Sequence, residues 1–166
     1  MNLIRQKEKF DKNLIDQDAL KILKKLIKSG YESYLVGGCI RDILLGHKPK
    51  DFDIATSATP EQIFKLFKRS RIIGRRFKLV HIMFSARKFI EVATFRSGKV
   101  KTSNDGLVLR DNHYGSLKDD VFRRDFTVNG LYYDIKKSEV IDYVGGLDDL
   151  LSLIHISEPT RRSWIS

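Results

Sequence analysis

The amino-acid sequence predicts an α/β domain of the α+β type, in which a mixed β-sheet is flanked by helices. Strand-like and helix-like segments follow one another without the strict β-α-β alternation that a doubly wound parallel sheet requires. The apolar fraction, 42%, is that of a globular protein with a core and argues against disorder of the whole chain. No internal repeat divides the 166 residues.

The first half of the chain contains two helices with recognisable ends. Asp16 and Asp18 precede apolar residues at helical spacing, and Gly30 ends that helix. Thr59, followed by Pro-Glu, begins another helix that runs to about Phe67. Between these two helices we expect a strand at Tyr34–Val36, a short helix at Ile40–Leu45 and a strand at Asp51–Ala55.

The second half is richer in strands. Ser116–Arg124 reads as a short helix, because Ser-x-x-Asp at its start resembles a capping box. Phe126–Tyr133 is apolar and fits either a helix or a strand, and Ser97–Asp111 is predicted to be a mobile surface loop. Strands are expected at Arg71–Ile73, Leu79–Phe84, Phe89–Phe95 and Val140–Val144.

The two ends of the chain differ from the middle. We expect residues 1–13 to be a flexible arm, residues 14–150 to form one catalytic domain, and residues 151–166 to be a non-native tail. The tail continues no periodicity of the preceding segment, and LSLIHISEPTR resembles the conceptual translation of a sequencing-library adapter. A genuine short tail is the alternative.

Charge and cysteine content narrow the class of protein. Lys and Arg total 31 against 21 acidic residues, a net charge of +10 that favours polyanionic partners. Cys39 is the single cysteine, so neither an internal disulfide nor a cysteine-based zinc site can form. The sequence has no signal-peptide pattern and no apolar run of membrane-spanning length, and we therefore expect a cytoplasmic protein that has no membrane partner.

Asp51 and Asp53 are the candidate metal ligands and catalytic residues. On a strand, side chains two residues apart face the same way, so the two carboxylates are expected side by side. Paired carboxylates repel each other unless a cation neutralises them, and hard oxygen ligands suit Mg²⁺. Such a site can hold two ions for phosphoryl-group chemistry, although Asp-x-Asp alone is a common surface pattern.

The glycine pair Gly37 and Gly38 follows a strand and precedes a helix, where backbone N–H groups can meet phosphate oxygens. Arg41 lies about one helical turn later and can reach the same phosphates, while Asp42 is expected to pair with Arg41 or to cap a loop. Taken alone, the glycine pair is most simply a turn and Arg41 is most simply a surface charge. Their order before an Asp-x-Asp strand indicates a nucleotide site.

A third carboxylate has two candidates, Glu91 and Asp125. Glu91 lies between apolar neighbours in a predicted strand, and Asp125 follows Arg123 and Arg124. This Arg-Arg-Asp run, with Asn129 one helical turn on, can bind phosphate and ribose or form a structural ion pair. The sequence leaves the choice open.

A basic segment interleaved with aromatics suggests a path for RNA, although Phe64 and Phe67 can equally be the core face of a helix. The sequence contains no P-loop, no dinucleotide-binding motif and no serine nucleophile elbow. The histidines share no metal-binding spacing, and His81 is expected to be structural. The candidate RNA-binding residues are Lys68, Arg69, Arg75, Arg76 and Lys78.

Two runs resemble a known family. LVGGCIRD with the following DFDIAT is similar to the head-domain signature of the poly(A) polymerase and CCA-adding enzyme family of polymerase-β-type nucleotidyltransferases, and RRDFTVN resembles its second motif. The resemblance covers residues 31 to 150 and implies a five-stranded mixed sheet, Mg²⁺ on Asp51 and Asp53, and ATP phosphates at Gly38 and Arg41. It also implies that Glu91 or Asp125 completes the catalytic set.

Within that family, GRRFKLVHIMF and LRDN resemble the bacterial poly(A) polymerase branch. The resemblance therefore implies addition of AMP from ATP to RNA 3′ ends, with RNA-degradation machinery as a further candidate partner. CCA addition to tRNA is the first alternative. A catalytically incomplete RNA-binding fragment is the second, because the family's base-selecting helical domains follow the head. The sequence leaves the oligomeric state open.

Overall fold

A computed structural model of the chain describes residues 4–6, 10–97, 101–102, 108–110, 114–124, 130–150 and 152. Of the predicted tail over 151–166, only residue 152 lies within these ranges, and the remainder is outside the described residues. The same holds for Asp125 and Asn129, which the sequence marked as candidate site residues. For residues 4–6, 101–102 and 108–110, the backbone alone is described.

Three helices begin where the sequence predicted, whereas the helix expected from Ile40 begins at Gly38. Asp16 accepts hydrogen bonds from the backbone N–H groups of Asp18 and Ala19, and Thr59 forms a capping box with Gln62. Ser116 forms the expected capping box with Asp119. The helices include α1 (Gln17–Lys28), α2 (Gly38–Leu44), α3 (Pro60–Leu66) and α4 (Leu117–Phe122), and a 3₁₀ turn covers Lys12–Leu14. A further helical segment covers residues 146–150.

The strands form one large mixed sheet and one small hairpin. The large sheet has eight strands in the order β1-β10-β9-β2-β3-β6-β5-β4, and the pair β3–β6 is its parallel pair. The small hairpin joins β7 and β8. The strands are β1 (Ile4–Gln6), β2 (Ser33–Val36), β3 (Asp53–Thr56), β4 (Ser70–Ile73), β5 (Leu79–Met83), β6 (Phe89–Thr94), β7 (Lys101–Thr102), β8 (Val108–Arg110), β9 (Leu131–Asp134) and β10 (Glu139–Asp142).

The mixed sheet confirms the predicted fold class, but the strand count of five was too low. The apolar run that fitted either a helix or a strand supplies β9 at Leu131–Asp134. Ile4–Gln6, within the segment expected to be a flexible arm, pairs with β10 as an edge strand. Edge pairing is made by backbone hydrogen bonds, which leave little trace in a side-chain pattern.

Two further predictions were wrong in detail. β3 begins at Asp53, so Asp51 precedes the strand and does not belong to it. The segment predicted as a loop at Ser97–Asp111 contains β7 and β8, which pair with each other. Both errors concern short strands, whose presence and limits are poorly defined by periodicity.

Helices cover both faces of the sheet, and β3 alternates between two cores. Ile54 belongs to the larger core, which packs against α1, α2 and α3. Ala55 belongs to the smaller core, which includes Leu117 and Val121 of α4. Because side chains alternate along a strand, Asp53 shares the face of Ala55 and α4. Asp53 therefore lies on the face of the sheet that α4 partly covers.

Candidate active site

The strand order brings three predicted site segments side by side. β3 lies between β2 and β6, with Val36 opposite Asp53 and Asp53 opposite Glu91. Residues in register on neighbouring strands project to the same face at a spacing of roughly 5 Å. The glycine turn that follows β2, the aspartate of β3 and the glutamate of β6 therefore lie next to one another, towards the same end of three neighbouring strands. This juxtaposition requires the tertiary pairing of three strands.

The carboxyl group of Asp53 carries an unusual charge environment. Desolvation of the carboxyl group, together with the negative charges of Glu91 and Asp51, raises the pKa of Asp53 to about 6, although the residue as a whole is exposed. The positive charge of Arg124 acts in the opposite direction and lowers that pKa. The fold thus holds acidic groups close together with incomplete compensation, which makes the site attractive to a cation.

Asp51 contributes to the site from outside the strand. It is exposed in the segment that leads into β3, and its charge acts on Asp53. The prediction that Asp51 and Asp53 project from one strand face was therefore wrong, although the two carboxylates lie close enough to interact. A residue just before a strand has more freedom to adjust its side chain to a ligand than one within the ladder.

The glycine turn lies against Asp53. Gly37 has φ of 83° and ψ of −145°, a backbone conformation that is essentially restricted to glycine. A Cβ atom added at Gly37 would lie 3.9 Å from Oδ2 of Asp53, so backbone and carboxylate are neighbours. A Cβ atom at Gly38 would lie 3.3 Å from Nη2 of Arg41. The arginine side chain therefore folds back over the turn, as the spacing predicted, and it also pairs with Asp42 at 3.2 Å.

Glu91 is held by a neighbour on the next strand. His81 Nε2 lies 3.4 Å from Oε2 of Glu91, and its ring stacks on Phe89 with centroids 4.2 Å apart. These contacts agree with the expectation that His81 is structural. Of the two candidates for a third carboxylate, Glu91 adjoins Asp53, and Asp125 lies outside the described residues.

Asp120 organises both arginines of the second motif. Its carboxylate accepts hydrogen bonds from Arg123 Nε at 2.9 Å and from Arg124 Nη2 at 3.1 Å, and it also accepts one from the Tyr132 hydroxyl. The backbone N–H of Arg96 donates a further bond to the same carboxylate at 3.0 Å. The side chain of Asp120 is almost fully buried, and its cationic neighbours hold its pKa below the ordinary value against the effect of burial.

Asp120 was not among the site residues predicted from the sequence. A signal was present, because an acid three and four residues before Arg123 and Arg124 lies on the same helical face. The Arg-Arg pair is thus engaged in a structural ion pair, the alternative that the sequence left open. Arg124 is also close enough to Asp53 to influence its pKa, so this network borders the carboxylates.

The donor chemistry of the acids suits a hard divalent cation. Within the described ranges, no group of three or more His, Cys, Asp or Glu side chains has the arrangement of a metal site. Asp51 and Asp53 nonetheless offer carboxylate oxygens, and the raised pKa of Asp53 is what a nearby cation would reverse. The residues therefore fit Mg²⁺ in chemistry and charge.

The basic residues proposed for RNA flank the edge strand β4. Lys68 and Arg69 are exposed just before β4, and Arg75 and Arg76 are exposed just after it. Lys78 is less available because its ammonium group lies 3.4 Å from Glu61. None of the described helices is long and apolar enough to cross a membrane.

The aromatic residues of the basic segment differ in environment. Phe64 is 50% exposed on α3, so it is not the core residue that helical spacing allowed. Phe67 is half-buried beneath the ammonium group of Lys25, 4.9 Å from the ring centroid. Phe77 is 46% exposed and carries the guanidinium of Arg96 over its ring. The segment therefore presents both cations and apolar rings at the surface.

Comparison with known proteins gives consistent results. The family model of the poly A polymerase head domain matches residues 33–154. Poly(A) polymerase I of Salmonella typhi is 50% identical over 155 residues, covering 88% of this chain and 33% of that protein. The CCA-adding enzyme of Streptococcus agalactiae serotype V is 42% identical over 134 residues, covering 81% of this chain and 33% of that protein.

A solved structure of tRNA nucleotidyltransferase with a primer tRNA and an incoming ATP analog aligns with a TM-score of 0.57 and 30% identity. The alignment covers 78% of this chain and 36% of that one. The chain spans about a third of the length of the curated relatives. Because the family model covers most of the chain and the match to a curated relative reaches half identity, the chain belongs to the poly(A) polymerase head-domain family of nucleotidyltransferases.

Proposed function

We propose that this chain is the catalytic head of an enzyme that adds AMP from ATP to RNA 3′ ends without a template. The observation that carries the proposal is the position of Asp53 between the Gly37 turn and Glu91. In this reaction the RNA 3′ oxygen bonds to the α-phosphorus of ATP, the bond between the α-phosphorus and its bridging oxygen to the β-phosphate breaks, and pyrophosphate leaves.

The acids are proposed to hold two Mg²⁺ ions. Asp51 and Asp53 would be the protein ligands, and Glu91 or Asp125 would complete the catalytic set. When bound, the ions lower the pKa of the attacking hydroxyl and neutralise charge on the triphosphate. The raised pKa of Asp53 supports this assignment, because a carboxylate that is poorly compensated in the free protein gains most from a cation.

The glycine turn and arginines are proposed to hold the nucleotide. Gly37 and Gly38 allow phosphate oxygens to approach the backbone beside Asp53, and Arg41 lies over the same turn. Arg123, Arg124 and Asn129 would contact phosphate or ribose. Arg123 engages Asp120 through Nε, so that bond does not use the Nη groups that can pair with a phosphate.

The RNA is proposed to run along the basic surface near β4. Lys68, Arg69, Arg75 and Arg76 are exposed there, and each can neutralise a phosphate. Lys78 would join only by releasing Glu61. The solved relative with a primer tRNA and an ATP analog supports an RNA acceptor and an ATP donor for this chain.

CCA addition to tRNA remains a second candidate, because a CCA-adding enzyme is 42% identical to this chain. The higher identity to poly(A) polymerase I, 50%, favours AMP addition. RNA-degradation machinery is a further proposed partner, which binding studies with its components would test.

The test uses the full-length protein with a labelled oligo(A), Mg²⁺ and one nucleotide at a time. Extension in ATP that continues for many nucleotides supports poly(A) addition, whereas CTP use and a stop after three nucleotides on a tRNA lacking its end supports CCA addition. The matched pair is Asp53→Asn and Asp148→Asn, since Asp148 is exposed and distant in sequence from the site residues. Extension by Asp53→Asn at the wild-type rate would contradict the mechanism.

A further inference from the structure

A second set of groups suited to a nucleotide lies beside Asp51, at a cavity that the glycine turn does not line. A cavity of about 160 Å³ lies beside Asp51 and is bordered by the β5–β6 turn and the start of β6. Among its lining residues are Lys50, Arg87 and Phe89. None of these three belongs to the metal, phosphate or RNA residues assigned above, so the cavity requires its own explanation.

Phe89 is an exposed ring with a fixed orientation. Its side chain is 48% exposed, although it lies at the start of a central strand. His81 stacks on the ring with an interplanar angle of 16°, and Glu91 holds His81 in turn at 3.4 Å. A ring braced on one side and accessible on the other is suited to stacking against a nucleic-acid base.

Two cations border the same cavity. Lys50 and Arg87 are both exposed, and within the described part of the chain neither forms an ion pair. Lys88 differs, because its ammonium group is engaged by Asp16 and Asp18 at 2.8 Å each. The available positive charge therefore comes from Lys50 and Arg87, and a phosphodiester is a complementary ligand for it.

The reaction geometry selects which nucleotide belongs here. In phosphoryl transfer the attacking and leaving oxygens lie roughly in line on opposite sides of the phosphorus. Strand order places the glycine turn on the β2 side of Asp53 and places Phe89 on the β6 side. If the triphosphate lies over the glycine turn, the attacking hydroxyl must approach from the side of β6.

We propose that Phe89, Lys50 and Arg87 form the subsite for the 3′-terminal nucleotide of the RNA acceptor. This subsite assignment rests on the proposed function. The terminal base stacks on Phe89, the phosphodiester on its 5′ side lies between Lys50 and Arg87, and the 3′ hydroxyl points towards Asp51 and Asp53.

The test measures the binding of 5′-labelled single-stranded RNA to this chain by fluorescence anisotropy, in the presence of Mg²⁺ and without ATP. Phe89→Ala is expected to weaken binding about tenfold, whereas Phe89→Trp retains a stacking surface and retains affinity. Phe64→Ala is the matched control, because Phe64 is similarly exposed at 50% but lies on α3. Lys50→Gln and Arg87→Gln should each lower by about one the number of counterions released on binding, as read from the slope of log affinity against log salt concentration.

An RNA lacking its 3′-terminal base gives the decisive comparison. Wild-type protein should lose about tenfold in affinity for this RNA, while Phe89→Ala should lose little more, because its stacking partner is already absent. An RNA lacking an internal base is the control. Equal effects of the missing terminal base on wild-type protein and Phe89→Ala would overturn the subsite.

A separate titration of Mg²⁺-ATP distinguishes the two levels of the proposal. All four subsite variants should bind Mg²⁺-ATP as the wild type does. If the wild-type chain binds the RNA end with the expected coupling but fails to bind Mg²⁺-ATP, the proposed function is contradicted and the subsite stands. If it binds Mg²⁺-ATP without terminal-base coupling, the subsite alone is overturned.

Discussion

Glu91 lies directly opposite Asp53 across the parallel pair of β3 and β6, so their side chains project to the same face of the sheet. The charge of Glu91 is one of the causes that raise the pKa of Asp53. The two residues are far apart in the sequence, and their contact depends on a single parallel strand pair. Four predictions follow from this site and from the network that borders it.

Glu91→Gln should lower the pKa of Asp53. The substitution removes a negative charge from the neighbouring strand while keeping the size of the side chain, so the ionised form of Asp53 becomes easier to form. The measurement is an NMR titration of the Asp53 carboxyl group without divalent ions, with a wild-type midpoint of about 6. Glu32→Gln, an exposed substitution at the opposite end of β2, should leave that midpoint unchanged.

Asp53→Asn should change the pH dependence of stability. The folded pKa of Asp53, about 6, exceeds the ordinary value of 3.8, so folding favours the protonated form. The stabilising contribution is fully present below pH 3.8 and is lost as pH rises through about 6. The variant should therefore match the wild type in acid and exceed it in melting temperature at neutral pH.

Thermal denaturation of both proteins without divalent ions, at pH values between 4 and 8, gives the difference in melting temperature as a function of pH. A difference in melting temperature that stays constant across that range would contradict the raised pKa of Asp53. Added Mg²⁺ should stabilise the wild type and not the variant, because a ligand that binds only the folded state shifts the unfolding equilibrium.

Asp120→Asn should destabilise the fold by about 3 kcal/mol, because it leaves two arginines without their buried anionic partner. The asparagine also presents an amide donor towards the donors of Arg123, Arg124 and Tyr132. Urea denaturation measures the loss. Asp148→Asn, at an exposed position, should change stability by less than about 0.5 kcal/mol, and equal effects of the two variants would argue against the network.

Gly37→Ala should reduce both stability and nucleotide binding. The backbone conformation at Gly37 imposes a penalty of about 1–3 kcal/mol on any other residue, and the added methyl group would point towards Oδ2 of Asp53. Gly46→Ala is the matched control, because Gly46 has φ of 78° with no atom within 4 Å of an added Cβ.

Both glycine variants should lose stability in urea denaturation, because both place a side chain in a left-handed conformation. Only Gly37→Ala should weaken Mg²⁺-ATP binding in calorimetric titration, since Gly46 lies at the far end of α2. Equal nucleotide affinities for the two variants would show that the Gly37 turn is not part of the nucleotide site.

Local features of the fold were predictable from sequence. α1 could be located from its apolar spacing and from Asp16, because a helix is stabilised by contacts within a few residues. The capping boxes at Thr59 and Ser116 follow the same logic. Strand boundaries were less certain, and Asp51 was wrongly included in β3, because a strand is defined by partners elsewhere in the chain.

The sequence alone determined which residues belong to the candidate site: two neighbouring acids, a glycine turn followed by an arginine, and an Arg-Arg pair. Only the tertiary structure decided that Glu91 adjoins Asp53, that Asp120 and Tyr132 hold the arginines, and that Phe89 lies exposed on the other side of the acids. The reason is physical. Spacing along a chain fixes which side chains share a helix or strand face, whereas the order of strands in a sheet is set by burial and backbone hydrogen bonding of the whole domain.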